Sequence, residues 1–124
     1  MMDEPGSTAS RSVLHDRDPV IVIDRKQRTY LRTLRVGRVI TVRGNAVPSD
    51  QLIGQPEGTV VTTARGERLL VLRPTYAQLI PSLPRQAQPI YPKDVGPLLL
   101  WGDIGPGMRV IEVGVGPGAV TLAV

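Results

Sequence analysis

Apolar and polar positions alternate through the first half of the chain, and the alternation then breaks down. Val20-Ile21-Val22-Ile23 follows Pro19 as a β-branched run and predicts a strand. Residues 24–28 form a polar turn, and residues 29–34 predict a second strand. In it Tyr30, Arg32 and Leu34 share one face and Leu31, Thr33 and Arg35 the other, so the pattern leaves the buried side open. Val36-Gly37 turns the chain, and residues 38–43 alternate again, with Val39 and Thr41 opposite Ile40 and Val42. Residues 44–58 carry Gly, Pro, Asn and Asp punctuation and read as one long connection. Residues 59–63 and 67–72 predict two more strands, joined by Ala64-Arg65-Gly66. Short strands separated by turn signals predict a small antiparallel sheet or barrel over residues 17–80. Residues 1–16 show no apolar period and read as a disordered leader.

The character changes at Arg73-Pro74. Residues 75–80 predict a short helix capped by Thr75 and ended by Pro81. Residues 81–92 hold several prolines and read as an extended linker. A second domain is expected over 93–124. Asp94 can cap a helix through Leu98-Leu99-Leu100-Trp101, with Pro97 tolerated in its first turn. Residues 102–107 turn the chain, residues 108–113 are β-branched and predict a strand, and residues 119–124 begin a helix. The fold class expected is α+β: a small antiparallel β domain, then the first strand and helix start of a Rossmann-like domain.

Composition removes several classes. Cys is absent, which excludes a disulfide framework, a thiolate zinc site and a Cys nucleophile. The single His15 lies in the polar leader, so no metal cage or Ser-His-Asp triad is expected. No apolar run approaches the ~20 residues of a membrane span, and the acidic, polar start is no secretory signal; a cytoplasmic protein is expected. Aromatic residues are only 3% of the chain, so Val and Leu must fill the core. The formal net charge is +4, and Lys26 and Lys93 are the only lysines among 15 basic residues. Arg25, Lys26, Arg28, Arg32, Arg35, Arg38 and Arg43 follow one another with no Asp or Glu between Asp24 and Asp50. Such a block suits phosphate recognition, or is simply a solvated face.

The strand expected at 108–113 runs into Gly114-Val115-Gly116-Pro117-Gly118 and then into a helix start. Glycines allow positive φ and close backbone approach, and a helix start offers free N–H groups. An ordinary Gly/Pro turn has the same composition. The spacing is GxGxG rather than GxGxxG, which argues against a nicotinamide dinucleotide and fits the first motif of S-adenosylmethionine-dependent methyltransferases better.

Longer stretches make the resemblance specific. Ile23-Asp24-Arg25-Lys26, Arg28-Thr29-Tyr30-Leu31, Pro56-Glu57-Gly58-Thr59-Val60-Val61, Leu70-Val71-Leu72-Arg73-Pro74-Thr75 and Ile90-Tyr91-Pro92-Lys93-Asp94 stand ahead of Val110-Ile111-Glu112 and the glycine loop. From about Ile23 onward the chain resembles the N-terminal part of the tRNA adenine-N1 methyltransferase family, which methylates adenine 58. The resemblance implies S-adenosyl-L-methionine as cofactor, tRNA as partner, a homo-tetramer, and neither membrane nor metal. It implies that Gly114, Gly116 and Gly118 contact the cofactor, with Glu112 closing the preceding strand and Gln88 and Tyr91 lying against it. Tyr91 fits a core aromatic equally well, and Lys93-Asp94 a plain helix start. Arg25, Lys26, Arg28 and Arg43 are the candidate RNA contacts.

The chain departs from the family at Pro117, where Ser or Thr is usual, at Val113, where Ala or Ser is usual, and at Val95-Gly96-Pro97. The acidic residue expected ~20 positions past the loop and the family's catalytic Asp have no counterpart here, so no catalytic residue is assigned. The expectation is an incomplete N-terminal part, inactive alone. The alternative is a β module that binds RNA or contacts another subunit without catalysis.

Overall fold

The computed structural model describes residues 13–84 and 87–124. The chain divides into two units, Met1–Arg73 and Pro74–Val124.

The first unit is built from β1 (Pro19–Ile23), β2 (Thr29–Thr33), β3 (Val39–Val42), β4 (Asn45–Pro48), β5 (Val60–Thr62) and β6 (Arg68–Leu72). β2, β1, β6 and β5 form one antiparallel sheet in that order, and β3 and β4 form a separate hairpin. Alternation places Val20 and Val22 of β1, Leu69 and Val71 of β6, and Ile40 and Val42 of β3 in one core with Leu14, Leu34, Val47 and Leu52. Ile21, on the other face of β1, is nearly as covered, which is why that strand reads as an unbroken apolar run. No aromatic side chain is fully buried, and branched aliphatics fill the interior as the composition required.

Two expectations change here. The leader expected over residues 1–16 reaches into the described residues: residues 1–12 of it lie outside them, and Leu14 is fully buried. Its N–H donates to the Gln55 carbonyl at 2.9 Å, its own carbonyl accepts from Gly54 at 2.8 Å, and Asp16 accepts from the Val36 N–H. One large side chain in a polar segment has no period to reveal it. The single connection expected over residues 44–58 contains β4 and a 3-10 turn at Ser49–Gln51. The β3–β4 hairpin closes through Arg43 and Gly44, at φ of 49° and 76°. Positive φ at both central residues is the turn that matches strand twist, and Arg-Gly is not its usual Asn-Gly signature.

The second unit holds α1 (Tyr76–Leu79), a 3-10 turn (Ile80–Ser82), α2 (Pro92–Trp101) and α3 (Ala119–Ala123). Thr75 caps α1 as expected: its hydroxyl accepts from the Gln78 N–H, and the Gln78 side chain accepts from the Thr75 N–H. Asp94 does not cap α2. Pro92 occupies the first helical position, the extended Tyr91 takes the cap, and Asp94 lies in the first turn, paired with Lys93 at 2.8 Å. The strand expected at residues 108–113 makes no ladder, because no neighbouring strand takes up its N–H and C=O groups among the described residues. Ile80, Val95 and Ala119 form the small core of this unit, while Trp101, Ile111 and Val113 are about nine-tenths exposed. Among the described residues no helix is long and apolar enough to cross a membrane.

Replacing Leu14 with Ala is expected to lower the unfolding free energy by about 2–5 kcal/mol, the cost of an emptied core site, as measured by urea denaturation. A segment outside the core would leave the midpoint where it was.

Candidate functional site

β1 ends on Asp24, a carboxylate buried where the chain turns into residues 25–28. A buried charge of this kind persists only when paired and hydrogen-bonded. One oxygen accepts from the backbone N–H groups of Lys26 at 2.9 Å and Arg28 at 3.0 Å. The other accepts from Arg28 Nε at 2.8 Å and the Tyr30 hydroxyl at 3.2 Å, and pairs with Arg28 Nη2 at 2.7 Å and Arg43 Nη1 at 4.0 Å. Burial alone would raise the Asp24 carboxyl; the N–H and guanidinium of Arg28 and the N–H of Lys26 outweigh it and hold the group below its ordinary value. Burial raises the Tyr30 phenol, and the carboxylate it donates to adds to that.

Three turns meet around this carboxylate. They are residues 24–28 between β1 and β2, Arg43-Gly44 between β3 and β4, and the β5–β6 turn, closed by Gly66 N–H to Thr63 O at 2.8 Å. Together they line an open depression of about 930 Å³ that carries Arg25, Lys26, Arg28, Arg43, Arg65 and Arg68. Asn45, nine-tenths buried, donates to Glu67 at 2.6 Å beneath it. Six cations against Asp24 and Glu67 give this lining +4, equal to the formal net charge of the whole chain. The remaining residues therefore sum to zero, and the positive charge is a local feature of one end of the sheet.

All four candidate RNA contacts lie in this depression. Arg32, Arg35 and Arg38 of the same sequence block do not line it, and Arg32 instead donates to the Thr41 carbonyl at 2.8 Å. Arg65 and Arg68 were missed because they stand forty positions from Arg25 and Arg28, in a turn that marked only a hairpin. The pairing of β1 with β6, Ile23 opposite Leu70, is what brings them alongside.

In the second unit Gly114, Gly116 and Gly118 have φ of 75°, 56° and 89°. A Cβ at any of them would meet nothing within 4 Å, so the glycines serve backbone conformation and leave open space beside the loop. Pro117 offers no N–H there. Glu112 accepts from the Thr121 hydroxyl of α3 at 2.5 Å, which ties the approach of the loop to the helix after it. Ala119 packs in one cluster with Val95 of α2, whose cap is Tyr91. Tyr91 is half-buried and Gln88 exposed. Two depressions of this unit, about 410 and 260 Å³, are lined from residues 96–108 and 104–124, and neither includes any of the six candidate cofactor residues.

Residues 13–61 match a family profile described as TrmI-like N-terminal. That stretch, from Val13 through β4 to Val61 in β5, is what the chain shares with the profile. Over 104 residues it is 40% identical to the tRNA (adenine(58)-N(1))-methyltransferase TrmI of Thermus thermophilus, and the figures are the same for the enzymes of two strains of that organism. That match covers 84% of this chain and 41% of the relative, so the chain spans about two fifths of the length of the curated relatives it matches. The crystal structure of tRNA (m1A58) methyltransferase TrmI from Aquifex aeolicus is similar with a TM-score of 0.66 and 29% identity, over 88% of this chain and 42% of that one. A SAM-dependent O-methyltransferase from Thermotoga maritima matches in fold, with a TM-score of 0.76 and 21% identity over 98% of this chain and 44% of that one. The α+β class expected from the sequence is therefore that of the methyltransferase fold. The TrmI-like stretch takes in Asp24, its loop and Arg43, and ends before Arg65 and Arg68.

Asp24→Asn keeps an acceptor for the backbone N–H groups of Lys26 and Arg28 but removes the charge. Because the folded Asp24 sits below its ordinary value of 3.8, its contribution is complete above that value and is lost as pH falls through the lower folded one. The variant is expected to melt at a lower temperature at neutral pH and to lose less stability than the parent between neutral pH and about pH 3. Parallel melting-temperature profiles of the two proteins across that range would contradict the assignment.

Proposed function

We propose that the chain is the N-terminal part of an S-adenosylmethionine-dependent tRNA (adenine-58-N1)-methyltransferase that works as a homo-tetramer. The β unit meets tRNA, and the glycine loop of the second unit forms part of the methyl-donor pocket. The observation that carries this reading is the 40% identity to TrmI over 84% of the chain.

The residues present fit the donor. Three glycines at positive φ with open space beside them let a ligand approach the backbone more closely than any side chain would permit. Gly114, Gly116 and Gly118 would hold the amino-acid part of the cofactor, with Gln88 and Tyr91 against it. Glu112, tied to Thr121, would hold the loop to α3. When bound, the cofactor supplies a sulfonium methyl group. This chain's own part is binding and orientation, and none of its residues is assigned to the transfer step.

A second reading takes the β unit as a binding module without catalysis. It is favoured by the concentration of the chain's entire net charge in one depression, which suits RNA better than an apolar subunit contact.

Calorimetric titration of the 124-residue chain with S-adenosylhomocysteine is expected to show binding, and titration with NAD none. Gly116→Ala is expected to weaken binding roughly tenfold, because a Cβ at that φ costs on the order of 1–2 kcal/mol and pushes the loop out of its conformation. Binding of NAD in place of S-adenosylhomocysteine, or a Gly116→Ala protein that binds as well as the parent, would count against the cofactor assignment.

A further inference from the structure

The sheet order β2-β1-β6-β5 sets the β1–β2 loop and the β5–β6 turn side by side at one end of the sheet. The β3–β4 turn touches both. Arg43 reaches to 4.0 Å from Asp24 in the first, and an Arg65 guanidinium nitrogen of the second lies 3.5 Å from where a Gly44 Cβ would stand. Like charges gathered this closely repel, and the buried Asp24 and the Asn45-bound Glu67 offset part of that repulsion. The remaining cations are exposed. Arg25, Lys26, Arg65 and Arg68 have no carboxylate within ion-pair distance among the described residues.

The depression holds no aromatic ring. Between the basic side chains its lining is Ile23, Val60 and Leu70. A site that reads single-stranded bases needs a stacking platform, and this one has none. It has charge on two sides of an apolar floor, which suits a polyanionic chain laid along it.

We propose that this depression grips the phosphodiester backbone of RNA from two sides, with Arg65 and Arg68 as the second wall facing Arg25 and Lys26, and that the grip is indifferent to base sequence. The proposal rests on the reading above that the partner is RNA, and adds to it a site, its two walls and its mode of recognition. Arg65 and Arg68 lie beyond the segment shared with the TrmI-like profile, so they enter from the geometry alone.

The test is fluorescence anisotropy of the 124-residue chain with two labelled RNAs, a tRNA transcript and an oligouridine, between about 50 and 200 mM salt. Removing two phosphate contacts is expected to flatten the log–log salt dependence by about 1.4 for a single strand. Arg65→Ala with Arg68→Ala is expected to flatten the slope for both RNAs, by this amount for the oligouridine, and Arg25→Ala with Lys26→Ala to do the same. Arg35→Ala with Arg38→Ala, outside the depression, is expected to leave the slope unchanged. All these side chains are exposed, so thermal melts should match the parent.

If only the Arg25/Lys26 pair alters the slope, the second wall is wrong while the RNA reading stands. If the Arg35/Arg38 pair alters it as much as the others, the charge acts diffusely and the site is wrong. Marked preference for one RNA sequence overturns backbone recognition. Failure of the parent to bind either RNA overturns the proposal together with RNA as partner of the β unit, whereas the cofactor assignment is read separately by calorimetry.

Discussion

A carboxylate removed from water at the end of a central strand must be answered by several donors at once, and Asp24 is that carboxylate. Its two oxygens are met by backbone N–H groups of the following loop, by a guanidinium and by a phenol. The loop is wound around the charge, with Gln27 pressed into positive φ on the way. Arg28 is consumed in the pairing, and Arg25 and Lys26 between the anchor points are left facing solvent. The anion thus allows a dense cationic surface to exist on a small domain and decides which of the cations remain available.

The rest of the β unit serves the same end of the sheet. Its core is built from branched aliphatics of β1, β3, β4 and β6, joined by Leu14, Leu34 and Leu52 from segments outside the strands. The Arg43-Gly44 turn carries one more cation toward Asp24 at the cost of a non-glycine residue in the left-handed region. At the beginning of the domain, Arg73 binds the Val13 carbonyl and Asp18, each at 2.6 Å, and so ties the last strand to the first described residues.

The second unit is organised differently. Its buried cluster is small, and most of its large apolar side chains, Trp101 and Ile111 among them, face solvent. What is well defined there is conformation: a capped first helix, a proline-led second helix, and a loop whose three glycines all occupy the region that other residues avoid. The glycine spacing could be read without coordinates because the requirement for positive φ leaves a trace in composition.

Local physics was legible in the same way elsewhere. The β-branched run of β1, the Thr75 cap with Gln78 three residues on, and the β5–β6 turn each follow from interactions among near neighbours, and the sequence alone determined them. The capping of α2 went to Tyr91 rather than Asp94 because Pro92, three residues before the first helical position that an Asp94 cap implies, was already a suitable first helical position. Residues 108–113 have strand composition, but a strand exists only with a partner to bond to, which no local pattern can supply. The burial of Leu14 against residues forty positions away, and the meeting of Arg65 and Arg68 with Arg25 and Arg28, were likewise decided by tertiary structure. Both depend on which strands lie side by side, and strand pairing is a property of the whole sheet, in which the energy of each contact is realised only after distant segments have closed upon one another.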